Sequence, residues 1–269
     1  MEKMIVFGTG HAMSIKYANT AFGIYDDYNF FLVDGGGGRE VLSWFVQNQE
    51  FLGRLQAGFL SHAHTDHILG MVWMMRKIAF DLEQGRREQG FCLYGEEKTL
   101  DILYKICSAL LRPQEIGQFG KKIQLIAVRD GESREILGKQ FTFFDIHSTK
   151  MIQFGFSAAD HEKKLVFLGD EPVNDWGMKY LENADWMLSE AFCLDEEREI
   201  YHPEKFHHGT VKSASEIAQK YGVKNLVLWH TEDETTYGCK KDRYTKESRR
   251  YYTRGRVWVP DDGEIIPLG

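Results

Sequence analysis

The segment FLSHAHTDHILG, from Phe59 to Gly70, places three histidines and one aspartate within six positions. The cluster follows the apolar residues GFL and precedes ILGMVWMM, so it lies between a predicted strand and a predicted helix. Imidazole and carboxylate groups are ordinary ligands of divalent zinc. The alternative is a polar loop that caps the helix, with Thr65 or Asp66 as the N-cap residue. Three histidines and an aspartate are rare in such a cap, so the pattern favours a metal site.

The spacing within the cluster predicts two neighbouring sets of ligands. His62 and His64 alternate, so in extended chain both side chains point the same way. Where the chain turns into the helix, Asp66 and His67 can face a second point a short distance away. Two adjacent ligand sets suit two cations that share one site.

Three further candidate ligands each end an apolar strand elsewhere in the chain. FTFFDIHS ends near His147, KLVFLGD ends in Asp170 and NLVLWH ends in His230. Each one alone could be an ordinary polar residue at a strand end. Together with the cluster they predict further ligands, and the two oxygens of Asp170 could bridge two cations.

Composition limits the class of protein. With 269 residues, 43% apolar and 13% aromatic, the chain can build a sizeable core, and without an evident linker we expect a single domain over residues 1–269. The net charge of −7 argues against broad coating of nucleic acid. Four cysteines without a CxxC pair indicate a reducing compartment. Without a signal peptide or a run of about 20 apolar residues, we expect a cytoplasmic protein with no membrane partner.

The hydrophobic pattern predicts strands followed by helices, twice over. That order favours an α+β fold of two stacked sheets with helices outside. The expected strands include an N-terminal hairpin, AFGIYDD with YNFFLVDG, and two short closing strands around an Asp-Asp-Gly turn. The expected helices span Arg39 to Gln49, Ile68 to Leu82, Glu96 to Leu111, Trp176 to Asn183 and Thr210 to Tyr221.

HAHTDH resembles the HxHxDH signature of the metallo-β-lactamase superfamily, and the later His, Gly-Asp and His follow in that superfamily's order. The resemblance implies a four-layer αββα sandwich and two divalent metal ions, with zinc expected and manganese or iron as alternatives. It also implies how the seven ligands divide. One ion is assigned His62, His64 and His147, the other is assigned Asp66, His67 and His230, and Asp170 is assigned to both.

Other segments resemble the ribonuclease Z branch of that superfamily: FGTG, FFLVDGGGG, SEAF and HHGTVKSASEIA. This resemblance implies a proton relay of Glu190 and His208, with His207 the weaker match, and Asp66 as the group that orients the attacking water. It implies hydrolysis of a phosphodiester in RNA, including tRNA 3′ processing, or in a small or cyclic molecule, and a homodimer. Outside the resemblance, Glu190 and His208 could be a surface acid and a polar residue at a helix start.

Two departures bear on the substrate. The bacterial enzymes usually carry a long flexible arm between the third metal histidine and the bridging aspartate, whereas here the segment reads as a plain hairpin. The segment IKYANT also lacks the expected proline and arginine. Hydrolysis of a lactone or thioester, and a metal-binding sensor without turnover, therefore remain alternatives.

The segment from Lys240 to Arg256 is rich in lysine and arginine, with Tyr244, Tyr251 and Tyr252 interleaved. Such a segment could bind phosphates and stack bases, or it could form a solvated helix face.

Overall fold

The computed structural model describes residues 2–269, in which runs of strands are interspersed with helices. The strands are β1 Lys3–Gly8, β2 Ala21–Tyr25, β3 Phe30–Val33, β4 Leu55–Leu60, β5 Phe91–Gly95, β6 Ile123–Ala127, β7 Ser133–Ile136, β8 Lys139–Asp145, β9 Phe154–Ala159, β10 Lys164–Phe167, β11 Trp186–Glu190, β12 Asn225–Trp229, β13 Arg256–Trp258 and β14 Ile265–Pro267. The helices are α1 Glu40–Gln47, α2 Gln49–Arg54, α3 Thr65–Glu83, α4 Glu97–Leu110, α5 Pro113–Ile116, α6 Asp175–Met178, α7 Arg198–Tyr201, α8 Val211–Tyr221 and α9 Lys240–Tyr251.

Among the described residues, the first compact unit comprises residues 2–8, 18–128 and 262–269. Its sheet has the strand order β14-β1-β2-β3-β4-β5-β6, with antiparallel pairing up to β3 and parallel pairing from β3 to β6. The long helix α3 places Met71, Met75 and Ile78 on one face, and that face is buried in the core of this unit. Parallel strands end at the same edge of a sheet, so the segments after β3 and β4 lie side by side.

The second compact unit comprises residues 9–17 and 129–261. Its sheet has the order β13-β12-β11-β10-β9-β8-β7, antiparallel from β7 to β10 and parallel from β10 to β13. Helix α8 is capped by the Thr210 side chain, which accepts from the Ser213 backbone, and ends at Gly222 with a positive φ of 65°. Its buried face packs into the core of the second unit.

The α+β class and the five expected helices are confirmed, with boundaries that differ by a few residues, and a 3₁₀ turn replaces the end of the fourth helix. The N-terminal hairpin is confirmed as β2 and β3. The sequence pattern missed the strand β7 and the short helices α2, α5 and α7. The two closing strands join different sheets, because β13 pairs with β12 and β14 pairs with β1. The single domain over 1–269 stays a prediction.

Within residues 2–269, no helix combines the length and the apolar character that a membrane crossing requires.

Candidate metal centre

The histidine cluster lies where β4 passes into α3 in the first unit. His62 is fully buried, and its Nε2 lies 2.9 Å from Nδ1 of His64. Asp66 and His67 occupy the first turn of α3 and are also buried, with His67 Nε2 3.2 Å from Asp66 Oδ2. The N-cap of this helix is His64, without a side-chain cap hydrogen bond, so the capping role considered for Thr65 or Asp66 is wrong.

Asp34, which the sequence interpretation missed as a site residue, holds two of these histidines. It is buried directly after β3, with a positive φ of 56°. Its Oδ1 accepts from the backbone N–H of Ser61 at 2.8 Å, and its Oδ2 accepts from the Ser61 hydroxyl at 2.8 Å. The same Oδ2 lies 2.8 Å from Nδ1 of His67, and Ser61 Oγ lies 2.9 Å from Nδ1 of His62. One carboxylate therefore orients His67 directly and His62 through Ser61.

This network sets which ring nitrogens can bind a cation. An ionised carboxylate only accepts, so Nδ1 of His67 carries the proton and Nε2 presents its lone pair. Ser61 gives its proton to Asp34, so it accepts from Nδ1 of His62, whose Nε2 then also presents a lone pair. Carboxylate-held imidazoles of this kind are typical of metal ligands. The donor set of the first unit fits a divalent cation.

Two glycines allow Asp34 to lie against helix α3. The backbone N–H of Gly35 donates to the His67 carbonyl at 2.9 Å, and that of Gly70 donates to the Gly36 carbonyl at 2.8 Å. A Cβ at Gly35 would lie 1.9 Å from the Met71 nitrogen, and one at Gly70 would lie 1.7 Å from the Gly35 carbonyl oxygen. Only glycine at these two positions permits so close an approach of turn and helix.

In the second unit, the three strand-end candidates follow β8, β10 and β12 as expected. Asp170 and His230 are buried and adjacent, with His230 Nε2 3.7 Å from Asp170 Oδ2. Gln153 donates to the other oxygen, Oδ1, of Asp170. His147 differs from this pair because its side chain is 44% exposed, with its ring 5.1 Å from the ring of Trp176. The second unit thus brings two of its three candidates together in the interior and leaves the third at the surface.

Glu190 and His208 form a pair in the same unit, in which Glu190 is buried and His208 is half-buried. Glu190 ends β11, and its Oε1 accepts from the Gly209 backbone at 2.7 Å, while Oε2 lies 3.6 Å from His208 Nδ1. The His208 ring stacks on Phe192 and lies 5.4 Å from the His230 ring. Burial favours the neutral imidazole, but the Glu190 carboxylate outweighs burial and raises the pKa of His208. Glu190 is only 1% exposed, so its alternative interpretation as a surface acid is wrong.

The basic segment after His230 is mostly the helix α9. Its side chains Tyr244 and Tyr252 are fully buried, so they cannot stack bases. Arg243 is paired with Glu196 and Glu197, and this pairing neutralises part of the positive charge. The solvated helix face is the better description of the exposed part of the segment.

Comparison with known proteins shows the family to which this chain belongs. The model of the beta-lactamase superfamily domain matches residues 30–231, which include the cluster, Asp34, Glu190 and His230. The chain belongs to the β-lactamase superfamily. A ribonuclease Z from Macrococcus caseolyticus is 24% identical to this superfamily member, over 87% of this chain and 90% of the relative. This membership and the relatives identify a metal-dependent hydrolase that is similar to the ribonucleases Z.

Solved structures confirm the fold of this β-lactamase superfamily member. The short form of human tRNase Z superposes with a TM-score of 0.75 and 20% identity, covering 99% of both chains. A diphosphatase from the PhnP family superposes with a TM-score of 0.74 and 18% identity, covering 100% of this chain and 98% of that one. The α+β fold is therefore of the metallo-β-lactamase type, as expected from HAHTDH.

Proposed function

We propose that the chain is a ribonuclease Z-like phosphodiesterase that forms one domain and uses two divalent metal ions, zinc in the first place. The observation that carries the proposal is the pairing of His208 with the buried Glu190 beside His230. A histidine whose pKa is raised by a carboxylate can keep the proton that an alkoxide leaving group needs. The names of the curated relative and of human tRNase Z support phosphodiesters as the substrate class.

We assign the metal ligands as the resemblance implies. His62, His64 and His147 would hold one ion, Asp66, His67 and His230 would hold the other, and Asp170 would serve both. Zinc, manganese and iron all accept imidazole and carboxylate donors. When bound, two such metal ions supply Lewis acidity, which favours deprotonation of water and neutralises the charge that develops on the phosphoryl oxygens.

The residues of this chain supply orientation and the proton. Asp34 orients His67 directly and His62 through Ser61, so that the Nε2 atom of each ring presents its lone pair. The Asp66 carboxylate orients the attacking water. His208 keeps its Nδ1–H towards Glu190 and donates from Nε2 to the departing oxygen.

The substrate is an RNA end, as in tRNA 3′ processing, or a small or cyclic phosphodiester. The second possibility rests on one observation. Between His147 and Asp170, strands β9 and β10 form a hairpin with a short turn, so no long arm for gripping tRNA occurs there. We also propose a homodimer, and a cytoplasmic location in keeping with four free cysteines.

The test is hydrolysis of bis(p-nitrophenyl) phosphate and of a ribonucleotide diester by protein reconstituted with zinc or manganese. Asp66→Ala abolishes turnover of both. His208→Ala lowers the rate on the ribonucleotide by about 10²-fold, and much less on the nitrophenyl ester, because nitrophenolate leaves without protonation.

The matched control is His207→Ala, since this neighbouring histidine is exposed and contacts Thr149 rather than Glu190. Full activity of the Asp66→Ala protein would contradict the proposal. Hydrolysis of a lactone or thioester but of no phosphodiester would replace it with that chemistry, and metal binding without any turnover would indicate a sensor.

A further inference from the structure

Trp176 is a large apolar side chain exposed beside a proposed metal ligand. Its surface is 63% exposed, and its ring lies 5.1 Å from the His147 ring at an interplanar angle of 52°. A single exposed apolar residue is common on protein surfaces and needs no explanation by itself. The position of Trp176 next to His147, a proposed metal ligand, distinguishes it from other exposed apolar residues.

The backbone holds Trp176 in this position. It lies in the short helix α6, and the Asn174 side chain accepts from the backbone N–H groups of Trp176 and Gly177 at 3.1 and 3.2 Å. The amide nitrogen of Asn174 donates to the carbonyl of Ile146, which directly precedes His147. The cap that begins the helix is therefore tied to the strand end that carries His147, and the backbone of Trp176 is held next to it.

A cation lies close to the same part of the second unit. Lys150 Nζ donates to the Phe206 carbonyl at 2.8 Å and lies 3.5 Å from Glu171 Oε1, and its side chain is 27% exposed. Its positive charge also acts on His208 and lowers the pKa of that imidazole, although burial and the Glu190 carboxylate have larger effects on the same pKa. Phe206 is itself 60% exposed and adds a second aromatic surface. A flat exposed indole and a lysine thus flank the segment that begins at His147.

We propose that Trp176 and Lys150 form a nucleotide subsite, in which the indole stacks on a nucleobase and the ammonium group binds a phosphate of the same substrate. The inference rests on the proposed phosphodiesterase function and narrows its substrates to nucleotidyl esters. Every base has a flat face that stacks on an aromatic ring, and this contact is tolerant of sequence. Lysine binds phosphate as a point charge, so it requires no fixed fork geometry.

Two esters with the same leaving group isolate the contribution of the base. Thymidine 5′-(p-nitrophenyl) phosphate carries a base, and methyl p-nitrophenyl phosphate does not, yet both release p-nitrophenolate. We expect kcat/KM of the wild-type enzyme to favour the thymidine ester, and Trp176→Ala to reduce this preference by about tenfold. Trp176→Phe keeps most of the preference, because phenylalanine also stacks. Trp73→Ala is the matched control, since Trp73 is a partly exposed tryptophan of the first unit.

A binding measurement separates the subsite from turnover. Calorimetry on the metal-reconstituted protein compares uridine monophosphate with ribose 5-phosphate, which lacks the base. We expect Trp176→Ala to remove the preference for the nucleotide, and Lys150→Met to weaken binding of both phosphates.

The outcomes distinguish the two claims. Hydrolysis of both esters with the same ratio in wild type and Trp176→Ala overturns the subsite and leaves the phosphodiesterase function intact. Absence of hydrolysis with a Trp176-dependent preference for uridine monophosphate overturns the function and supports the subsite. Absence of hydrolysis with equal binding of both phosphates overturns both, and a Trp176→Ala change in oligomeric state without a change in either preference assigns the indole to a protein contact.

Discussion

The two units carry their proposed ligands in different ways. In the first unit, His62, Asp66 and His67 are buried, and the Asp34 carboxylate fixes the rings of both histidines. In the second unit, Asp170 and His230 are buried, whereas the side chain of His147 is 44% exposed and its Nδ1 is 3.8 Å from Asp145. Three of the four proposed ligands of the first unit are therefore buried, and His64 is half-buried. The second unit includes a ligand that the fold holds only loosely by side-chain contacts.

A proposed metal ligand can be held in place by the hydrogen bonds of the fold or by the bound cation itself, and the two units differ in this respect. Buried imidazoles need hydrogen-bond partners whether or not a cation is present, so their geometry also contributes to folding. An exposed histidine is hydrated without the cation, so its removal costs the fold little. Stability and metal affinity should respond separately to changes in the two units.

The largest effect is expected from Gly70→Ala in helix α3. The added Cβ would overlap the Gly35 carbonyl, which lies in the turn that carries Asp34. We expect the free energy of unfolding to fall by about 3 kcal/mol, at the upper end of overpacking penalties. Gly53→Ala in helix α2 is the control, because nothing lies within 4 Å of its added Cβ, and we expect it to stabilise by about 0.5–1 kcal/mol. Urea unfolding measures the stability of both variants. A Gly70→Ala protein as stable as wild type would show that the turn carrying Asp34 does not pack closely against helix α3.

Removing one histidine from each unit compares the two halves directly in the metal-free protein. His67→Ala leaves the buried Asp34 carboxylate without its imidazole partner, so we expect a loss of about 2 kcal/mol. His147→Ala removes an exposed ring, so we expect a change below about 0.5 kcal/mol. Chemical unfolding after chelation provides the measurement. If the two substitutions cost the same, the distinction between the halves is wrong.

Asp34→Asn keeps the shape of the side chain and removes its charge. We expect zinc affinity to fall by about tenfold, the lower end of the effect of residues that orient metal ligands. The control is Asp26→Asn, because Asp26 accepts from the backbone of Tyr28 and Asn29 in a turn of the same unit. Competition with a chromophoric chelator measures the affinity, and an unchanged value would remove Asp34 from the site.

The smallest effect is expected in the pH profile of Glu190→Gln. The reactive form of His208 is protonated, so the rate on a ribonucleotide diester falls as pH rises through the pKa of His208. Burial lowers that pKa and the Glu190 charge raises it more, so the neutral glutamine should move the basic limb to lower pH. Initial rates measured from pH 5 to 9 locate the basic limb of the profile. An unchanged limb in the Glu190→Gln protein would show that Glu190 does not set the pKa of His208.

The sequence predicted the residues that are local in the chain and missed those that depend on pairing. The cluster from His62 to His67 is continuous, so β4 and α3 could be placed around it from the hydrophobic pattern alone. Asp34 reaches His67 only because β3 pairs in parallel with β4, with Val33 beside Phe59, and because glycine follows. The same Asp-after-strand pattern that indicated Asp170 was present at Asp34, but nothing local identified its partner.

Long-range packing also determines the structure of two regions that local sequence patterns described poorly: the basic segment from Lys240 to Arg256 and the two closing strands. Tyr244 and Tyr252 alternate with charged residues, yet their hydroxyl groups donate to the carbonyls of Phe192 and Val223 inside the second unit. The closing strands β13 and β14 are near in sequence, but each completes the edge of a different sheet. Burial and strand pairing between distant segments carry no short-range signature in the sequence.

The metal content of the reconstituted protein tests the central proposal that the seven predicted ligands hold two ions. Wild-type protein is stripped with a chelator, reloaded with zinc, freed of excess metal and analysed by mass spectrometry against protein concentration. The account predicts two zinc ions per chain. One ion or none per chain, in protein that is folded and retains all seven ligands, would contradict it.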